Sequence, residues 1–333
     1  MILTHICPKF INSQVFSMKL ACIFPGQGSQ SVGMCKDLYE SSVVAKEIFQ
    51  EVDEALQQNL SKIIFEGPSE DLTMTSNTQP ALMVCSIAIL RVLEKEFGKK
   101  IQEFCSYVAG HSLGEFTALT AAGSISLSDC ARILRIRGQA MQDAVPFGKG
   151  AMFALLGADI NAAKEIATEA NAHGICQIAN DNSPGQQVLS GDANAIDAAI
   201  AIASSKGYKA IKLNVSAPFH SKLMEPAQQK LHEALDAIEI LNPSVPLIAN
   251  ISAGIIETKN IKENLVEQVT GMVRWNESML KLKELSVTNI AEIGPGKVYT
   301  NLLKRIDPTM LAISVNNLET INHLINTIAE TNN

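Results

Sequence analysis

Residues 107–115 read Tyr-Val-Ala-Gly-His-Ser-Leu-Gly-Glu, which is an apolar strand followed by the pattern Gly-x-Ser-x-Gly and the start of a helix. In such a turn, Gly110 and Gly114 remove side chains that would clash where the strand turns sharply into the helix. The hydroxyl of Ser112 is then left exposed at the N-terminus of the helix. The stretch therefore predicts a nucleophile elbow in an α/β fold, with a purely structural turn as the alternative.

Strands and helices alternate on both sides of this turn. Buried strands are predicted at 19–24, near 246–251 and at 287–293, and helices are predicted at 43–57, 79–96, 127–144 and 221–238. Alternation of this kind is typical of a mostly parallel sheet that is covered on both faces by helices. We therefore expect an α/β fold with an α/β-hydrolase-like core.

The middle of the chain has a different order of elements. Residues 147–214 are predicted to fold as β-α-β-β-α-β, the split unit of a ferredoxin-like domain. We expect this small domain to be inserted between the two halves of one large α/β catalytic domain, residues 18–146 and 215–333. Residues 1–17 lack the apolar core of a signal peptide, and we expect them to be an N-terminal extension before a natural start at Met18.

The composition is that of a globular enzyme and argues against several other classes. Hydrophobic residues make up 47% of the 333 residues, charged residues 18%, and the formal net charge is −7. This acidity disfavours a broad nucleic-acid-binding surface. The longest apolar run, 81–90, is far shorter than the ~20 residues of a membrane helix. The seven cysteines form no C-x-x-C pair. We expect a cytoplasmic protein with free thiols, no bound metal, and no nucleic-acid or membrane partner.

A serine nucleophile needs a base, and the chain offers six histidines. His220 lies in a loop between a predicted strand and a predicted helix, where α/β proteins commonly place site residues. Spacing alone leaves the other histidines open as alternatives, although the side chain of His111, next to Ser112, is expected to point away from the attacking side of the elbow. No Asp or Glu stands out as the third member of a triad, and a whole inserted domain separates Ser112 from His220, which argues against an ordinary esterase.

A glycine-rich turn at 25–30 follows the first predicted strand. Gly26 and Gly28 suggest a dinucleotide-binding loop, but Ser31 stands where the third glycine of that fingerprint belongs. The other interpretation is a loop with a small, flexible backbone that presents an N–H group to an oxyanion beside the elbow. We favour the second interpretation.

Seven segments, taken together and in order, resemble the malonyl-CoA:acyl carrier protein transacylase family and the acyltransferase domains of polyketide and fatty-acid synthases. They are FPGQGSQ at 24–30, GHSLGE at 110–115, RIRG at 135–138, NDNSPGQ at 180–186, VSAPFH at 215–220, LVEQ at 265–268 and GPGKV at 294–298. The resemblance covers residues 20–314. No single segment is unique to the family, but the ordered set is highly specific.

The resemblance implies a role for each matching residue at the reacting centre. Ser112 is expected to attack the malonyl thioester while His220 takes its proton. The backbone N–H groups of Gln27 and Leu113 are expected to form the oxyanion hole. Gln268 is expected to replace the usual acidic residue, with its main-chain carbonyl oxygen accepting a hydrogen bond from the His220 ring.

The resemblance also implies residues that bind the acyl group. Arg137 is expected to hold the free carboxylate of malonate, because a guanidinium fork binds a carboxylate through two parallel hydrogen bonds. Asn180 and Asn182 are expected to line the cleft, and Phe219 to narrow the pocket. Glu115 suits the dipole of the helix that follows Ser112 and is assigned no chemistry.

The implied reaction is a ping-pong transfer of malonyl from malonyl-CoA to the phosphopantetheine thiol of holo acyl carrier protein, in support of fatty-acid synthesis. We expect no metal or redox cofactor and a monomeric enzyme. An acidic carrier needs a local basic patch for docking, with candidates at Lys209, Lys212, Arg274, Lys297, Lys304 and Arg305. The alternatives are a polyketide acyltransferase acting in trans, a serine thioesterase or esterase, and a non-catalytic carrier-binding protein.

Overall fold

The computed structural model describes residues 18–215 and 217–331. The expected N-terminal extension, residues 1–17, lies outside the described residues. The β-strands are β1 Leu20–Phe24, β2 Tyr107–Gly110, β3 Gly150–Leu156, β4 Cys176–Ser183, β5 Gln186–Asp192, β6 Lys209–Lys212, β7 Leu247–Ile248, β8 Asn289–Ile293 and β9 Leu311–Val315.

Helices connect these strands throughout the described chain. The α-helices are α1 Lys36–Ser41, α2 Val43–Leu56, α3 Leu60–Glu66, α4 Ser69–Thr73, α5 Thr75–Phe97, α6 Ile101–Phe104, α7 Leu113–Ala121, α8 Leu127–Asp143, α9 Ile160–Ala170, α10 Ala193–Ser205, α11 Glu225–Asp236, α12 Ile261–Glu267, α13 Trp275–Glu284, α14 Val298–Ile306 and α15 Leu318–Thr331. Short 3₁₀ helices lie at Asn171–His173, Lys222–Met224 and Thr258–Asn260.

Five strands form a parallel sheet in the order β7-β2-β1-β8-β9. The predicted mostly parallel α/β sheet is therefore confirmed. All five residues of the central strand β1 are buried, at 0–1% exposure, as expected for a strand that is covered on both faces. Phe24 pairs with Gly110 at the carboxyl ends of β1 and β2. The glycine-rich turn and the elbow thus leave the sheet side by side, at the edge where α/β proteins bind ligands.

A second sheet of four strands has the order β4-β5-β3-β6, and all of its pairings are antiparallel. Its elements follow one another as β3-α9-β4-β5-α10-β6, which is the order predicted from the sequence. Helices α9 and α10 pack against this sheet around their own buried apolar cluster. One hydrogen-bonded bridge joins Asn180 of β4 to Val273, next to the parallel sheet.

Several element boundaries differ from the prediction for local reasons. The helix expected at 221–238 begins as a 3₁₀ turn and becomes α-helical only at Glu225, with Pro226 in its first turn, where proline is well tolerated. The strand expected near 246–251 pairs only at Leu247–Ile248. Among the helices of the described part of the chain, none combines the length and apolar character needed to span a membrane.

Candidate active site

The turn between β2 and α7 is tight enough to require glycine on both sides of the serine. A Cβ atom at Gly110 would lie 1.8 Å from the carbonyl oxygen of Gly114, and one at Gly114 would lie 2.3 Å from that of Phe24. Ser112 itself has a φ of 53° and a ψ of −109°, a conformation that L-residues rarely adopt. The strand–turn–helix geometry expected of an elbow is therefore present at Ser112.

His220 faces this serine. Its Nε2 atom lies 2.8 Å from the Oγ atom of Ser112. Its Nδ1 atom lies 2.8 Å from the carbonyl oxygen of Gln268 and 3.1 Å from that of Gly271. Carbonyl oxygens only accept hydrogen bonds, so Nδ1 must carry the ring proton and Nε2 is left to accept the proton of Ser112. The structure thus brings the Ser112 hydroxyl, the His220 ring and the Gln268 carbonyl together in the predicted arrangement.

The surroundings of His220 keep its imidazole neutral. The side chain is 4% exposed, and burial, followed by the nearby charge of Arg137, lowers its pKa to about 3. Both effects disfavour a positive charge on the ring. At neutral pH Nε2 is therefore unprotonated and available as a base, and the lowered pKa makes that base weaker than an exposed imidazole.

Arg137 projects from α8 into the same place and is 1% exposed. Its Nη1 atom donates to Gln79 Oε1 at 2.7 Å, and its Nη2 atom donates to Gln268 Oε1 and to Ser112 Oγ, both at 3.0 Å. Burial lowers the pKa of Arg137 to about 10, so the guanidinium stays charged at neutral pH. Its hydrogen-bond partners are all neutral, and its Nε atom has no partner among the described residues. Such a cation is well suited to bind an anion.

Asn250 clamps the backbone of the elbow. Its Oδ1 atom accepts a hydrogen bond from the N–H of Ser112 at 2.8 Å, and its Nδ2 atom donates to the carbonyl oxygen of Gly110 at 2.7 Å. The Nε2 atom of Gln268 donates to the carbonyl oxygen of Ser112 at 3.1 Å. The strained conformation of Ser112 is thus held from both sides by side chains that come from distant parts of the chain.

Glu115 lies in the first turn of α7, outside the cavity wall, and is fully buried. Its Oε2 atom accepts from Gln268 Nε2 at 2.7 Å and from the backbone N–H of Asn250 at 3.1 Å, and its Oε1 atom accepts from Asn264 Nδ2 at 2.7 Å. Burial raises its pKa to about 7, although these hydrogen bonds oppose the shift. Glu115 therefore belongs to the network that supports Ser112, beyond its favourable place in the first turn of α7.

A cavity of about 330 Å³ opens above Ser112. Its walls include Gln27 and Leu113, the two predicted oxyanion donors, together with Asn180 and Phe219. The remaining lining residues are Gly28, Gln30, Thr73, Gln79, His111, Ser112, Arg137, Met141, Met152, Leu213, Asn214, Val215 and His220. The cavity thus combines one buried cation beside the serine with a mainly apolar wall.

Asn182 reaches the site only through His111. Its Oδ1 atom lies 2.9 Å from His111 Nε2, and it is not among the described residues that line the cavity. The His111 ring also packs edge-on or tilted against Trp275 and Tyr299. The Tyr299 hydroxyl accepts the N–H of Gly26 at 3.1 Å. This chain of contacts connects the elbow to the glycine-rich turn.

Sequence reasoning missed Gln79, Asn250 and Asn264. Each is an amide side chain outside the seven matching segments, and each acquires its role only when distant parts of the chain meet. His111 is the neighbour of Ser112 in the sequence, and its side chain was expected to point away from the site. The structure places it in the cavity wall, where burial lowers its pKa to about 4.

The fold, together with Ser112 and His220, defines a class of protein: the α/β proteins that carry an acyl group on a serine. Residues 21–315 match the family model described as "Acyl transferase domain". The chain is 47% identical over 317 residues to the malonyl CoA-acyl carrier protein transacylase of Bacillus subtilis (strain 168), covering 94% of this chain and 98% of that relative. It is 40% identical to the enzyme of the same name from Escherichia coli (strain K12), covering 90% and 96%.

Solved structures of malonyltransferases are also similar to this chain. An acyl-carrier-protein-S-malonyltransferase from Bartonella henselae superposes with a TM-score of 0.92 at 48% identity, covering 94% of this chain and all of that one. A malonyl-transacylase in complex with its type II PKS acyl-carrier protein gives a TM-score of 0.89 at 38% identity, covering 93% and 99%. The chain belongs to the acyl transferase family and, within it, to the malonyl CoA-acyl carrier protein transacylases.

Proposed function

We propose that this protein transfers a malonyl group from malonyl-CoA to the phosphopantetheine thiol of an acyl carrier protein, through an ester on Ser112. The observation that carries the proposal is the 3.0 Å hydrogen bond between the buried guanidinium of Arg137 and the hydroxyl of Ser112. A buried cation beside a nucleophile favours an acyl group that brings its own negative charge. Family membership and the named relatives support the same reaction.

In the first half-reaction, Ser112 Oγ attacks the thioester carbonyl carbon while its proton passes to His220 Nε2. The backbone N–H groups of Gln27 and Leu113, both in the cavity wall, hold the developing oxyanion. The carbon–sulfur bond then breaks, the CoA sulfur takes the proton from His220, and CoA leaves as a thiol. The main-chain carbonyl of Gln268 keeps the His220 ring oriented throughout.

In the second half-reaction, the carrier thiol gives its proton to His220 and attacks the malonyl ester. The tetrahedral intermediate collapses, Ser112 takes back the proton, and malonyl-carrier protein leaves. Every proton in the cycle passes between sulfur, Ser112 and His220. The protein groups therefore supply the base, the oxyanion donors and the anion-binding cation, and the cycle requires no metal or redox cofactor.

The acyl group sits in the cavity between Arg137 and the apolar wall. Arg137 binds the free carboxylate through its fork of N–H groups. Asn180 and Phe219 shape the space beside it, and Asn182 contributes by holding His111. This arrangement disfavours an acetyl group, which leaves the guanidinium without an anion.

We also propose the organisation and setting expected from the sequence. Residues 147–214 would form a ferredoxin-like domain inserted between residues 18–146 and 215–333 of an α/β-hydrolase-like core, a proposal supported by the strand order and antiparallel pairing of the small sheet. The six cysteines described by the structure are free and buried, which fits a reducing cytoplasm. We also propose that the protein acts as a monomer, because Ser112, His220 and Arg137, the residues proposed for the chemistry, meet without a contribution from a second copy.

Intact-protein mass spectrometry tests the function directly. The protein is mixed with malonyl-CoA, and holo acyl carrier protein is then added. We expect a malonyl adduct on the protein that moves quantitatively to the carrier. An adduct that decays to free malonate while the carrier stays unlabelled would identify a hydrolase, and the absence of any adduct would contradict the proposal.

A further inference from the structure

Glu115 is a buried carboxyl group that the reaction above does not use. It lies outside the cavity wall, and its Oε2 atom accepts a hydrogen bond from Gln268 Nε2 at 2.7 Å. A carboxylate oxygen attracts donors, and the two ends of a glutamine amide have opposite polarity. The amide of Gln268 therefore turns its NH₂ group towards Glu115. The same NH₂ group also donates, over longer distances, to the carbonyl oxygen of Ser112 at 3.1 Å and to Asn250 Oδ1 at 3.3 Å, so Glu115 is the nearest of three acceptors and the only carboxylate among them.

The orientation of the Gln268 amide determines which of its atoms contacts the guanidinium of Arg137. With its NH₂ group towards Glu115, Gln268 presents Oε1 to the Nη2 atom of Arg137 at 3.0 Å. In the flipped orientation, the NH₂ group would face the guanidinium, and two donors would meet without an acceptor between them. A flipped Gln268 would leave the buried guanidinium short of a partner, and Arg137 would then turn away from Ser112.

We infer that Glu115 is a positioning residue that sets the orientation of the Gln268 side chain and so fixes Arg137 where it can bind the carboxylate of the acyl group. The inference rests on the proposed function. Gln268 holds His220 through its main-chain carbonyl and Arg137 through its side chain. Loss of the side-chain orientation therefore leaves His220 in place and weakens one hydrogen bond to the Ser112 backbone, which affects every acyl donor, but it impairs the binding of carboxylated acyl groups most.

Two substitutions of Glu115 separate this role from a general structural one. Glu115→Met fills a similar volume but removes the nearest acceptor and the only carboxylate, so the NH₂ group of Gln268 keeps only its two longer hydrogen bonds and the amide is held less firmly against Arg137. Glu115→Gln keeps an acceptor for Gln268 if its own NH₂ group faces Asn264. The Asn264 amide can rotate to accept that hydrogen bond, because the bond to Glu115 Oε1 is made by its side-chain NH₂ group. The glutamine variant should therefore rescue what the methionine variant loses.

The measurement is the rate of Ser112 acylation by malonyl-CoA and by acetyl-CoA, in separate single-turnover reactions followed by intact-protein mass spectrometry. We expect Glu115→Met to lower the malonyl-to-acetyl ratio more than about tenfold, and Glu115→Gln to keep it within about threefold of wild type. The matched control is Glu94→Met. Glu94 is also buried, and its carboxylate accepts a hydrogen bond from the backbone N–H of Ile101, far from the site. This control should lower the Tm but leave the ratio unchanged.

The outcomes separate the inference from the proposed function. A Glu115→Met protein that acylates more slowly with both donors but keeps the wild-type ratio would overturn the inference, as would a Glu115→Gln ratio as low as that of Glu115→Met. If Glu115→Met does not fold, Gln268→Met must show the same loss of ratio, and a wild-type ratio there would overturn the inference. A wild-type protein without malonyl preference would instead contradict the proposed function, and the inference with it.

Discussion

The Nη2 atom of Arg137 lies 3.0 Å from the Oγ atom of Ser112, and the same guanidinium lowers the pKa of His220. A malonyl ester on Ser112 carries its free carboxylate only two bonds beyond the ester carbonyl carbon, within reach of this fork. When that carboxylate binds, it offsets the positive charge that weakens His220 as a base. A malonyl donor therefore improves the base that acts on it, whereas an acetyl donor leaves the guanidinium uncompensated.

Ser112→Ala should abolish the malonyl adduct. The variant loses the only oxygen within hydrogen-bonding distance of His220 Nε2 among the described contacts, and alanine fits the elbow because the flanking glycines create the space. The check is intact-protein mass spectrometry after incubation with malonyl-CoA, with a thermal melt to confirm folding. Stoichiometric labelling of a folded Ser112→Ala protein would show that another residue carries the acyl group.

Arg137→Lys should lower kcat/KM for malonyl-CoA by about two orders of magnitude, equivalent to about 2.7 kcal/mol. A lysine keeps the charge but cannot reproduce the planar fork that contacts Gln79, Gln268 and Ser112 together. Acylation by acetyl-CoA, which has no carboxylate to bind, should change by less than about tenfold. Steady-state kinetics with both donors measures this. An unchanged preference would mean that another residue binds the carboxylate.

The part of the site that was predictable is the part that local chemistry determines. The Gly110-x-Ser112-x-Gly114 turn follows from steric limits within five consecutive residues, and the structure shows a turn of that kind. The order of elements in the small unit was predictable for the same reason, because periodicity and turn residues are local signals.

The supporting network was not predictable from local patterns. Asn250 is 138 residues from Ser112, and Asn264 is 149 residues from Glu115. Neither asparagine belongs to a sequence motif that indicates its hydrogen-bond partner. The resemblance identified Gln268 through its main-chain carbonyl, but the bonds of its side chain to Arg137 and Glu115 became visible only when α7, α8 and α12 were packed together.

The pH dependence of malonyl transfer should be unlike that of an ordinary histidine enzyme. Acylation needs neutral His220, so protonation of this base removes activity as pH falls through the pKa of His220 in the folded protein, whereas protonated Glu115 still offers Gln268 an acceptor oxygen. Burial and Arg137 lower that pKa from 6.5 to about 3. We therefore expect kcat/KM for malonyl-CoA, which reports the free enzyme, to stay level within about twofold from pH 8 to pH 5. A half-maximal loss near pH 6.5 would show that His220 titrates as if it were exposed.

Lys297→Glu should weaken use of the carrier protein without affecting malonyl-CoA. Of the six basic candidates, Lys212 and Arg274 already pair with Asp197 and Glu277, which makes them weaker docking sites. Lys297 is exposed and directly precedes α14. A Cβ atom on its neighbour Gly296 would lie 3.6 Å from Ser29, in the loop whose residues line the cavity. The neighbour of Lys297 thus lies close to the loop that lines the cavity, and we expect a carrier protein that delivers its phosphopantetheine arm to Ser112 to pass near Lys297.

Carrier proteins are typically acidic, so reversing this charge should raise the KM for holo carrier protein about tenfold at low salt, and less as salt rises. The rate of Ser112 acylation by malonyl-CoA should stay within about twofold of wild type. Lys99→Glu is the matched control. Lys99 is an exposed lysine that follows α5. It lines a surface pocket together with Met18 and Ser106, which shortly precede β1 and β2, so it lies where these parallel strands begin, at the end opposite the site. If both substitutions raise the KM equally, overall charge rather than a docking surface at Lys297 governs the encounter.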